Sequence, residues 1–496
     1  MSKGTIVQRL ACALLITALF LIALLFAKSG LQMGLLFSMG PFMLILFAAI
    51  LTNPYWGLMA LFVLNYFIMG IARYVSVTAL GLTTDVVIGL TLASFIYRTT
   101  FVGDVPFERI KKNVLILLLV AWMGMCMLQA LNPTAVFAAW ISNIRSYSVY
   151  PFFTVLFTTI LFTRFKDLKI ILFLWSLFTA FAFLKVLMQQ YLGFDSGELN
   201  WLNQGGARTH LLITGTRYFS FFTDAGNFGS NMGCSMVVFT VAAFYVKNKG
   251  LGFWYFLVGL AGAYGMFVSG TRGAMAVPFA GYILYVILSK NVKSMILVSI
   301  FIAILYVFLN LTYIGQGNQY IRRMRTAFNT EDASWLVRKE NQKVLAGYMK
   351  TKPFGEGLGL SGAEAEKYAP GRITNLPNDS WFVKVWVETG VVGVSFHILL
   401  LALSLFYGSY LILFRIKDRE LRGLLSAMIC GFAGILASSY GNAIFLQYPT
   451  GIIMYMIQAF LFMGLEYDKE LEIRDKELTS RDEIVDENNQ LAADGV

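Results

Sequence analysis

Several arginines in this sequence stand among glycine, serine and threonine residues, where they could bind an anionic group. Arg217 opens the run TRYFSFFTDAGNFGSN, and Arg272 lies in SGTRGA. The hydrophilic stretch that follows carries Arg322, Arg323, Arg325 and Arg338. A guanidinium group binds phosphate or pyrophosphate through paired hydrogen bonds and stays charged in a low-dielectric site. The sequence therefore predicts an outward-facing pocket that binds a pyrophosphate-like anion.

Simpler interpretations of the same arginines stay open. Those between residues 322 and 325 could form a solvated face or bind lipid headgroups, and Arg217 and Arg272 could extend towards headgroups from helix ends. Asp224 lies seven residues beyond Arg217 in an apolar run, about two helical turns away. Because an acid inside a membrane is costly, we expect Asp224 to pair with an arginine.

A second polar set occurs in NLPNDSWFVKVWVETGVVG, residues 375–393. Asn378 and Asp379 stand at the expected outer mouth of a helix, where Asp379 could simply cap it. Trp381 could anchor the helix at the membrane interface or stack on a sugar ring. Glu388 lies about two turns deeper, where an acid is a functional candidate by default.

The amino-acid composition indicates which kind of secondary structure carries these residues. The 496 residues are 57% hydrophobic and 14% charged, with a mean hydropathy of +0.67, whereas a soluble domain is about 45–50% apolar and about 25% charged. A soluble protein is therefore excluded. The sequence predicts an all-α polytopic membrane protein with about 14 (roughly 12–14) transmembrane helices.

Charge and cysteine usage exclude other classes. The formal charge of +11 fits basic cytoplasmic loops, so nucleic acid is not predicted as a partner. The 4 cysteines lie in apolar runs without metal spacing, and 2 histidines exclude a multi-histidine metal centre. We therefore predict neither a metal site nor another cofactor.

Apolar runs and charge together predict the topology. The candidate spans are 10–27, 31–51, 55–72, 76–96, 113–131, 146–163, 169–191, 218–246, 252–268, 274–289, 294–312, 380–413, 422–440 and 450–465. With a cytoplasmic N-terminus, Lys and Arg concentrate in the inner loops, as the positive-inside rule requires. Both termini are then cytoplasmic.

This topology divides the chain into four parts. Residues 1–312 hold transmembrane helices 1–11 with an outer loop at 192–217, residues 313–379 form one large outer loop, residues 380–465 hold helices 12–14, and residues 466–496 form a cytoplasmic tail.

The large outer loop is predicted to be partly helical. Asp332 can cap a helix that runs from about Ala333 to Tyr348, and Lys352-Pro353 ends it. The following PFGEGLGLSG is too rich in glycine for regular structure.

In this order, the segments resemble the O-antigen ligase and O-antigen polymerase superfamily of bacterial membrane glycosyltransferases. The matching features are Arg217 with its Ser/Phe/Asp/Gly run, SGTRGA, a long loop holding Ser334 and Arg338, PFGEGLGLSG, and PNDSWFVKVWVETGVVG. The resemblance covers about 215–395, and the N-terminal spans match in hydropathy only.

The resemblance implies a GT-C-like enzyme of the bacterial inner membrane with its active site facing the periplasm and no metal requirement. Its donor would be a glycan on undecaprenyl pyrophosphate, and its other partners the bilayer and further polysaccharide assembly proteins. Arg217, Arg272 and Arg338 occupy the positions of the family arginines that hold pyrophosphate. The expected substrate-binding set is completed by Arg322, Arg325 and Trp381.

Glycosyl transfer also needs a base for the acceptor hydroxyl, which typically contributes about 10²–10⁴-fold. Ligases carry His-Asn after the large loop, whereas this chain has Pro377-Asn378. Asp379, Glu356 and Asp224 are the available carboxylates. The predicted catalytic residues are therefore Asp379, Asn378 and Asp224.

The missing histidine favours a polymerase of surface-polysaccharide repeats over a ligase that transfers glycan to lipid A–core or protein. His210 lies in the other outer loop, and His397 lies deep in a span, where packing explains it. Two further classes stay open: a transporter or flippase of lipid-linked oligosaccharide, and a non-catalytic subunit of an assembly complex.

Overall fold

The computed structural model describes residues 40–74, 80–103, 107–213, 215–325, 333–477 and 480. The helices of the described residues are α1 (Gly40–Thr52), α2 (Pro54–Ile71), α3 (Leu80–Phe101), α4 (Phe107–Lys112), α5 (Val114–Leu128), α6 (Phe137–Ile144), α7 (Tyr150–Leu161), α8 (Phe165–Tyr191), α9 (Ser196–Trp201), α10 (Ala207–His210), α11 (Ala225–Ala243), α12 (Lys249–Val268), α13 (Ala276–Leu288), α14 (Val292–Asn310), α15 (Gln319–Arg325), α16 (Ala333–Met349), α17 (Trp381–Phe414), α18 (Arg419–Ser438), α19 (Thr450–Phe462) and α20 (464–477). Strands β1 (Leu211–Leu212) and β2 (Gly215–Thr216) pair antiparallel, with Leu211 opposite Thr216.

Within the described residues, seven helices are long and apolar enough to cross a membrane. They are Pro54–Ile71, Val114–Leu131, Phe165–Tyr191, Lys249–Val268, Trp381–Phe414, Arg419–Ser438 and Thr450–Glu477. Three shorter apolar helices are Gly40–Thr52, Arg272–Leu288 and Met295–Asn310. The prediction of an all-α membrane protein is confirmed, whereas about 14 spans and a GT-C-like architecture stay predictions. The candidate span at 10–27 lies outside the described residues.

The described residues form two compact units. One contains the described residues as far as Leu64 together with those between Tyr74 and Val105. The other contains Asn65–Arg73 and the described residues from Pro106 onward, and it holds every candidate site residue.

Glycines let α11, α12, α13 and α18 approach one another closely. A Cβ added at Gly262 of α12 would lie 2.7 Å from Met232 O of α11, and one added at Gly434 of α18 would lie 2.6 Å from Val277 O of α13. Small residues at such contacts maximise van der Waals packing, because lipid supplies no hydrophobic drive between helices. This packing fixes the relative positions of the helix ends that carry the candidate site.

Two of the predicted spans differ from the observed helices. The span predicted at 218–246 begins as a helix only at Ala225, because Asp224 is its N-cap and residues 217–219 have no regular secondary structure. The span predicted at 380–413 is observed as α17, which is interrupted at Gly390 (φ 70°).

The helix predicted in the large outer loop is observed as α16, Ala333–Met349. Leu345 and Met349 are buried against Val387 of α17, so the apolar stripe packs as expected at this end. Leu336 is 53% exposed, so the stripe does not extend to the start of the helix. The predicted cap, Asp332, lies outside the described residues.

The first part of the predicted tail is a helix that packs on neighbouring loops. Tyr467 is fully buried, and its hydroxyl donates to Phe162 O at 2.7 Å. Glu470 Oε2 accepts from the N–H of Phe165 at 2.7 Å, and Glu466 pairs with Arg109 at 3.0 Å. Helix α20 therefore packs against the start of α8 and against Arg109 of α4.

Candidate functional site

Two pairs of chain segments meet at one end of the packed helices. Thr271 Oγ1 donates to Ala225 O at 2.7 Å, which joins the turn after α12 to the start of α11. The N–H of Trp381 donates to Ser439 O at 2.9 Å, which joins the start of α17 to the end of α18. Residues far apart in sequence are thereby brought to one place.

Arg217 is held on two sides by hydrogen-bond acceptors. Its Nη1 donates to Thr209 O at 3.0 Å, and its Nη2 donates to Thr271 Oγ1 at 2.9 Å. The same threonine contacts the first turn of α11, so Arg217 is fixed beside that helix N-terminus.

Two acids and a second arginine act electrostatically on Arg217. Burial lowers the pKa of its guanidinium, Asp224 raises it, Arg272 lowers it, and Asp379 raises it. Thr271, whose hydroxyl accepts from Arg217, also donates to Ala225 O beside Asp224 and directly precedes Arg272, so these charged side chains form a local cluster. An arginine stays protonated at neutral pH, so the guanidinium groups of the cluster keep their positive charge.

Gly270 brings a further arginine, Arg323, into this cluster. A Cβ added at Gly270 would lie 3.3 Å from Arg217 Cγ and 3.3 Å from Arg323 Cδ, and Gly270 itself has a φ of 58°. Arg323 Nε donates to Gly270 O at 2.5 Å. Only glycine combines this backbone conformation with room for two arginine side chains.

Arg322 and Arg325, which the sequence placed in the substrate-binding set, bind their own loop instead. Arg322 Nη1 donates to Gln316 O at 3.4 Å, and Arg325 Nη2 donates to Ile314 O at 2.7 Å. Residues three apart share one helix face while the residue between them faces elsewhere. Among the arginines of α15, Arg323 is therefore the one that reaches Gly270, and substrate binding by Arg322 and Arg325 stays a prediction.

Arg338 and Asp379 form an ion pair at the mouth of α17. Arg338 Nε lies 2.9 Å from Asp379 Oδ2, and the two side chains are 33% and 55% exposed. A Cβ added at Gly441 would lie 3.9 Å from Arg338 Nη1, so the turn after α18 borders this pair. The carboxylate of Asp379 is thus both oriented by an arginine and open to a ligand.

Asp224 caps α11 and does not sit inside a span, which corrects its predicted place. Its Oδ1 accepts from the N–H groups of Gly226 at 2.6 Å and Asn227 at 2.9 Å. A carboxylate at this position satisfies otherwise unpaired amides and complements the helix dipole. These bonds assign Asp224 to positioning α11 and do not support it as the base.

His210 also supports the start of α11. It is 2% exposed, its Nε2 accepts from the N–H of Ala225 at 3.0 Å, and its Nδ1 donates to Gly206 O at 2.9 Å. Burial lowers the pKa of His210 to about 4. With both ring nitrogens engaged, His210 cannot replace the histidine that ligases carry.

Trp381 is packed rather than open, which corrects its predicted role in sugar stacking. It is 1% exposed, and its indole N–H donates to His397 Nε2 at 3.1 Å. The other residue of the mouth, Asn378, lies against Gly362, where an added Cβ would be 2.6 Å from its Oδ1.

The glycine-rich loop is anchored by Glu388. Its Oε2 accepts from the N–H of Gly359 at 2.9 Å, and its Oε1 accepts from Ser361 Oγ at 2.8 Å. Where α17 breaks at Gly390, the N–H of Val392 donates to Pro353 O at 3.2 Å. The acid deep in the span therefore holds the loop that reaches Asn378.

Glu356 is likewise a structural acid and not an available base. It is 1% exposed, accepts from Tyr348 Oη at 2.8 Å and Arg372 Nη1 at 3.1 Å, and pairs with Lys352. Among the described residues, Asp379 is thus the only one of the three proposed base candidates that is not committed to caps or buried pairs.

No group of three or more His, Cys, Asp or Glu among the described residues could hold a metal ion. The positive charge of the site comes from Arg217, Arg272, Arg323 and Arg338, which suits stabilisation of a departing phosphate or pyrophosphate. Sequence reasoning named Arg323 among the outer arginines but left it out of the substrate-binding set, and it missed Asn442, whose amide contacts Gly273 next to Arg272. Gly270 was the available signal for Arg323, and nothing near Asn442 in the sequence indicates its position.

Comparison with protein families identifies a related domain. Residues 256–398 match a family model described as O-antigen ligase, which confirms the resemblance drawn from the sequence. The matched stretch contains Arg272, Arg323, Arg338 and Asp379, while Arg217 and Asn442 lie outside it. No curated protein matches the chain.

Proposed function

Residues 256–398 of this integral membrane protein carry an O-antigen ligase domain, and from this premise we propose that it transfers a glycan from undecaprenyl pyrophosphate to a sugar acceptor at the periplasmic face of the bacterial inner membrane. The observation that carries the proposal is the arginine cluster beside the ion pair of Arg338 and Asp379.

In the proposed reaction, the acceptor hydroxyl oxygen forms a bond to the anomeric carbon, and the bond from that carbon to the pyrophosphate oxygen breaks. Arg217, Arg272 and Arg338 neutralise the charge that develops on the pyrophosphate as it leaves. Arg323 shares Gly270 with Arg217 and supplies a further guanidinium to the same group. In this reaction, the arginines stabilise the departing charge without a metal ion.

Asp379 is the proposed base. It accepts the proton of the acceptor hydroxyl as that oxygen attacks, and Arg338 Nε orients it from 2.9 Å. Asn378 stands next to it and offers an amide to the sugar that is transferred.

Polymerisation of surface-polysaccharide repeats is the favoured reaction, because Pro377 occupies the position where ligases carry histidine and His210 is buried elsewhere. The second candidate is a ligase that transfers the glycan to lipid A–core or protein, and the description of the matched family favours it.

The test is a gel of surface glycans from a deletion strain complemented with wild type, Arg272→Ala, Arg272→Lys or Arg419→Ala. Loss of one charge-stabilising donor typically costs about 10²–10³-fold in turnover, so Arg272→Ala should fail to restore product. Arg272→Lys keeps the charge but loses the paired geometry, so it should restore product only in part. Arg419→Ala is the matched control, an exposed arginine at the opposite end of α18, and should restore wild-type product.

The glycan pattern of the deletion distinguishes the candidates. Attached glycan of one repeat identifies a polymerase, and accumulated long lipid-linked polymer without attached glycan identifies a ligase. An unchanged ladder in the deletion, or normal product with Arg272→Ala, would overturn the proposed function and favour a transport or assembly role.

A further inference from the structure

Three neutral side chains near the arginine cluster carry polar atoms that the described structure leaves without a hydrogen-bond partner. These atoms are Asn378 Nδ2, Ser380 Oγ and Asn442 Nδ2, and each is buried. Buried polar groups in proteins are nearly always paired, so each exception calls for an explanation. Because three such atoms lie at the mouth of one site, a single explanation should account for all of them.

The three residues belong to segments that adjoin. Ser380 precedes Trp381, whose N–H donates to Ser439 O at 2.9 Å on the turn that carries Asn442. On the other side, Asn378 lies against Gly362 of the glycine-rich loop. The segment 378–380 therefore lies between that loop and the turn after α18.

The side chain of Asn442 packs against glycines on two sides. A Cβ added at Gly273 would lie 2.3 Å from Asn442 Nδ2, and one added at Gly226 would lie 3.6 Å from its Oδ1. The preceding residue, Gly441, borders Arg338 Nη1 at 3.9 Å from an added Cβ. Asn442 thus stands between the turn that carries Arg272 and the guanidinium of Arg338.

Neutral donors and cationic donors suit different parts of one ligand. Amide and hydroxyl groups match the uncharged hydroxyl and acetamido groups of a sugar, whereas the arginines match pyrophosphate. Binding sites for such ligands combine a few polar groups with aromatic side chains. The turn after α18 also carries Tyr440, whose side chain is 53% exposed, whereas Trp381 is buried.

We propose that Asn442, Ser380 and Asn378 form a saccharide subsite that binds the sugar attached directly to the pyrophosphate of the donor, with Tyr440 as its aromatic wall. This inference rests on the proposed function and adds the part of the ligand that each group recognises. The arginines hold the leaving group, and the neutral residues hold the sugar that is transferred.

The experiment compares two lipids bound to the full-length protein in nanodiscs: undecaprenyl pyrophosphate without sugar, and the undecaprenyl-pyrophosphate-linked oligosaccharide extracted from the host. One neutral hydrogen bond contributes about 0.5–1.5 kcal/mol, so Asn442→Ala should weaken binding of the sugar-bearing lipid by about 2- to 13-fold. Its affinity for the sugar-free lipid should stay that of wild type. Ser380→Ala, which removes one oxygen atom, should show the same selective loss.

Arg272→Ala and Asn310→Ala serve as controls. Arg272→Ala should weaken both lipids, and Asn310→Ala, whose amide bonds within α14 at 3.2 Å, should weaken neither. Wild-type affinity for the sugar-bearing lipid in Asn442→Ala and Ser380→Ala, or an equal loss of affinity for both lipids, would overturn the saccharide subsite. If Arg272→Ala binds both lipids like wild type, the proposed function itself fails.

Discussion

At the scale of single residues, the proposed chemical step depends on the ion pair of Arg338 and Asp379. Asp379→Asn keeps the size of the side chain and removes its ability to take a proton. We expect turnover by the purified protein to fall by about 10²–10⁴-fold, because the acceptor hydroxyl loses its base. Binding of the sugar-free donor lipid should change little.

The matched control for this variant is Glu364→Gln, which alters an acid of the same loop whose side chain is 87% exposed. It should turn over like wild type. Normal turnover in Asp379→Asn would remove Asp379 as the base.

A second prediction at the residue scale concerns His210. Burial lowers its pKa from 6.5 to about 4, so between these values the unfolded chain binds a proton that the folded chain does not. The stabilisation is therefore complete above pH 6.5 and is lost as the pH falls to about 4. The whole shift corresponds to about 3 kcal/mol.

We expect the Tm of the detergent-solubilised protein to fall between about pH 7 and pH 5, and to fall less in His210→Gln. Glutamine does not titrate, and its amide oxygen can still accept the N–H of Ala225. An identical pH dependence in both proteins would contradict the assignment.

Sequence reasoning found the residues of the site whose type alone is informative. Arg217, Arg272 and Arg338 stood out because arginine at the edge of a membrane domain is costly. Arg323 could not be separated from its neighbours, because the contact with Gly270 depends on how α15 packs. Asn442 is an ordinary loop asparagine until the turn after α12 is placed against it.

At the scale of elements, the break in α17 positions the glycine-rich loop. Gly390 has a φ of 70°, and a Cβ added there would lie 2.0 Å from Pro353 O. A non-glycine residue in this left-handed region costs about 1–2 kcal/mol before any overlap is counted. The loop can therefore dock into the helix only while residue 390 is glycine.

Gly390→Ala should lower the free energy of unfolding by more than about 2 kcal/mol and reduce activity, since it displaces the loop that reaches Asn378. The measurements are the Tm in detergent and product formation. Gly124→Ala is the control, because an added Cβ in that α5 helix would meet nothing within 4 Å. It should leave the Tm unchanged or raise it slightly. An unchanged Tm in Gly390→Ala would contradict the docking argument.

Elements with local signals were predictable, and the break in α17 was not. Helix α16 ends where Lys352-Pro353 predicts, and its observed range agrees with the prediction within one residue at the C-terminal end. Gly390, by contrast, lies in an unbroken apolar run, where nothing distinguishes a packing glycine from one at a break. The late start of α11 is of the same kind, because the segment before Asp224 is held by tertiary hydrogen bonds, from the N–H of Arg217 to His210 O at 2.8 Å and from the N–H of Tyr218 to Val268 O at 3.4 Å.

At the scale of the whole molecule, hydropathy predicted the fold class because more than half of the residues are apolar. The directions of helices α17 and α18 bear on the predicted sidedness of the site, which stays a prediction. Helix α18 begins at Arg419 beside basic residues and ends before Asn442, and its 20 residues span about 30 Å. Helix α17 runs in the opposite sense, from the mouth at Asp379 to Arg415. The basic loops and the candidate site thus lie at opposite ends of the same helices.

The last prediction tests this sidedness with single cysteines at two exposed lysines, one near each end. In intact spheroplasts, a membrane-impermeant maleimide should label Lys339→Cys, on α16 beside Arg338, and should label Lys417→Cys only after the membrane is opened. The parent chain gives the background, and its described cysteines, Cys126, Cys234 and Cys430, are all buried. The reverse pattern would put the arginine cluster in the cytoplasm, where a glycan displayed on the periplasmic side of the membrane could not reach it, and the proposed donor would then be wrong.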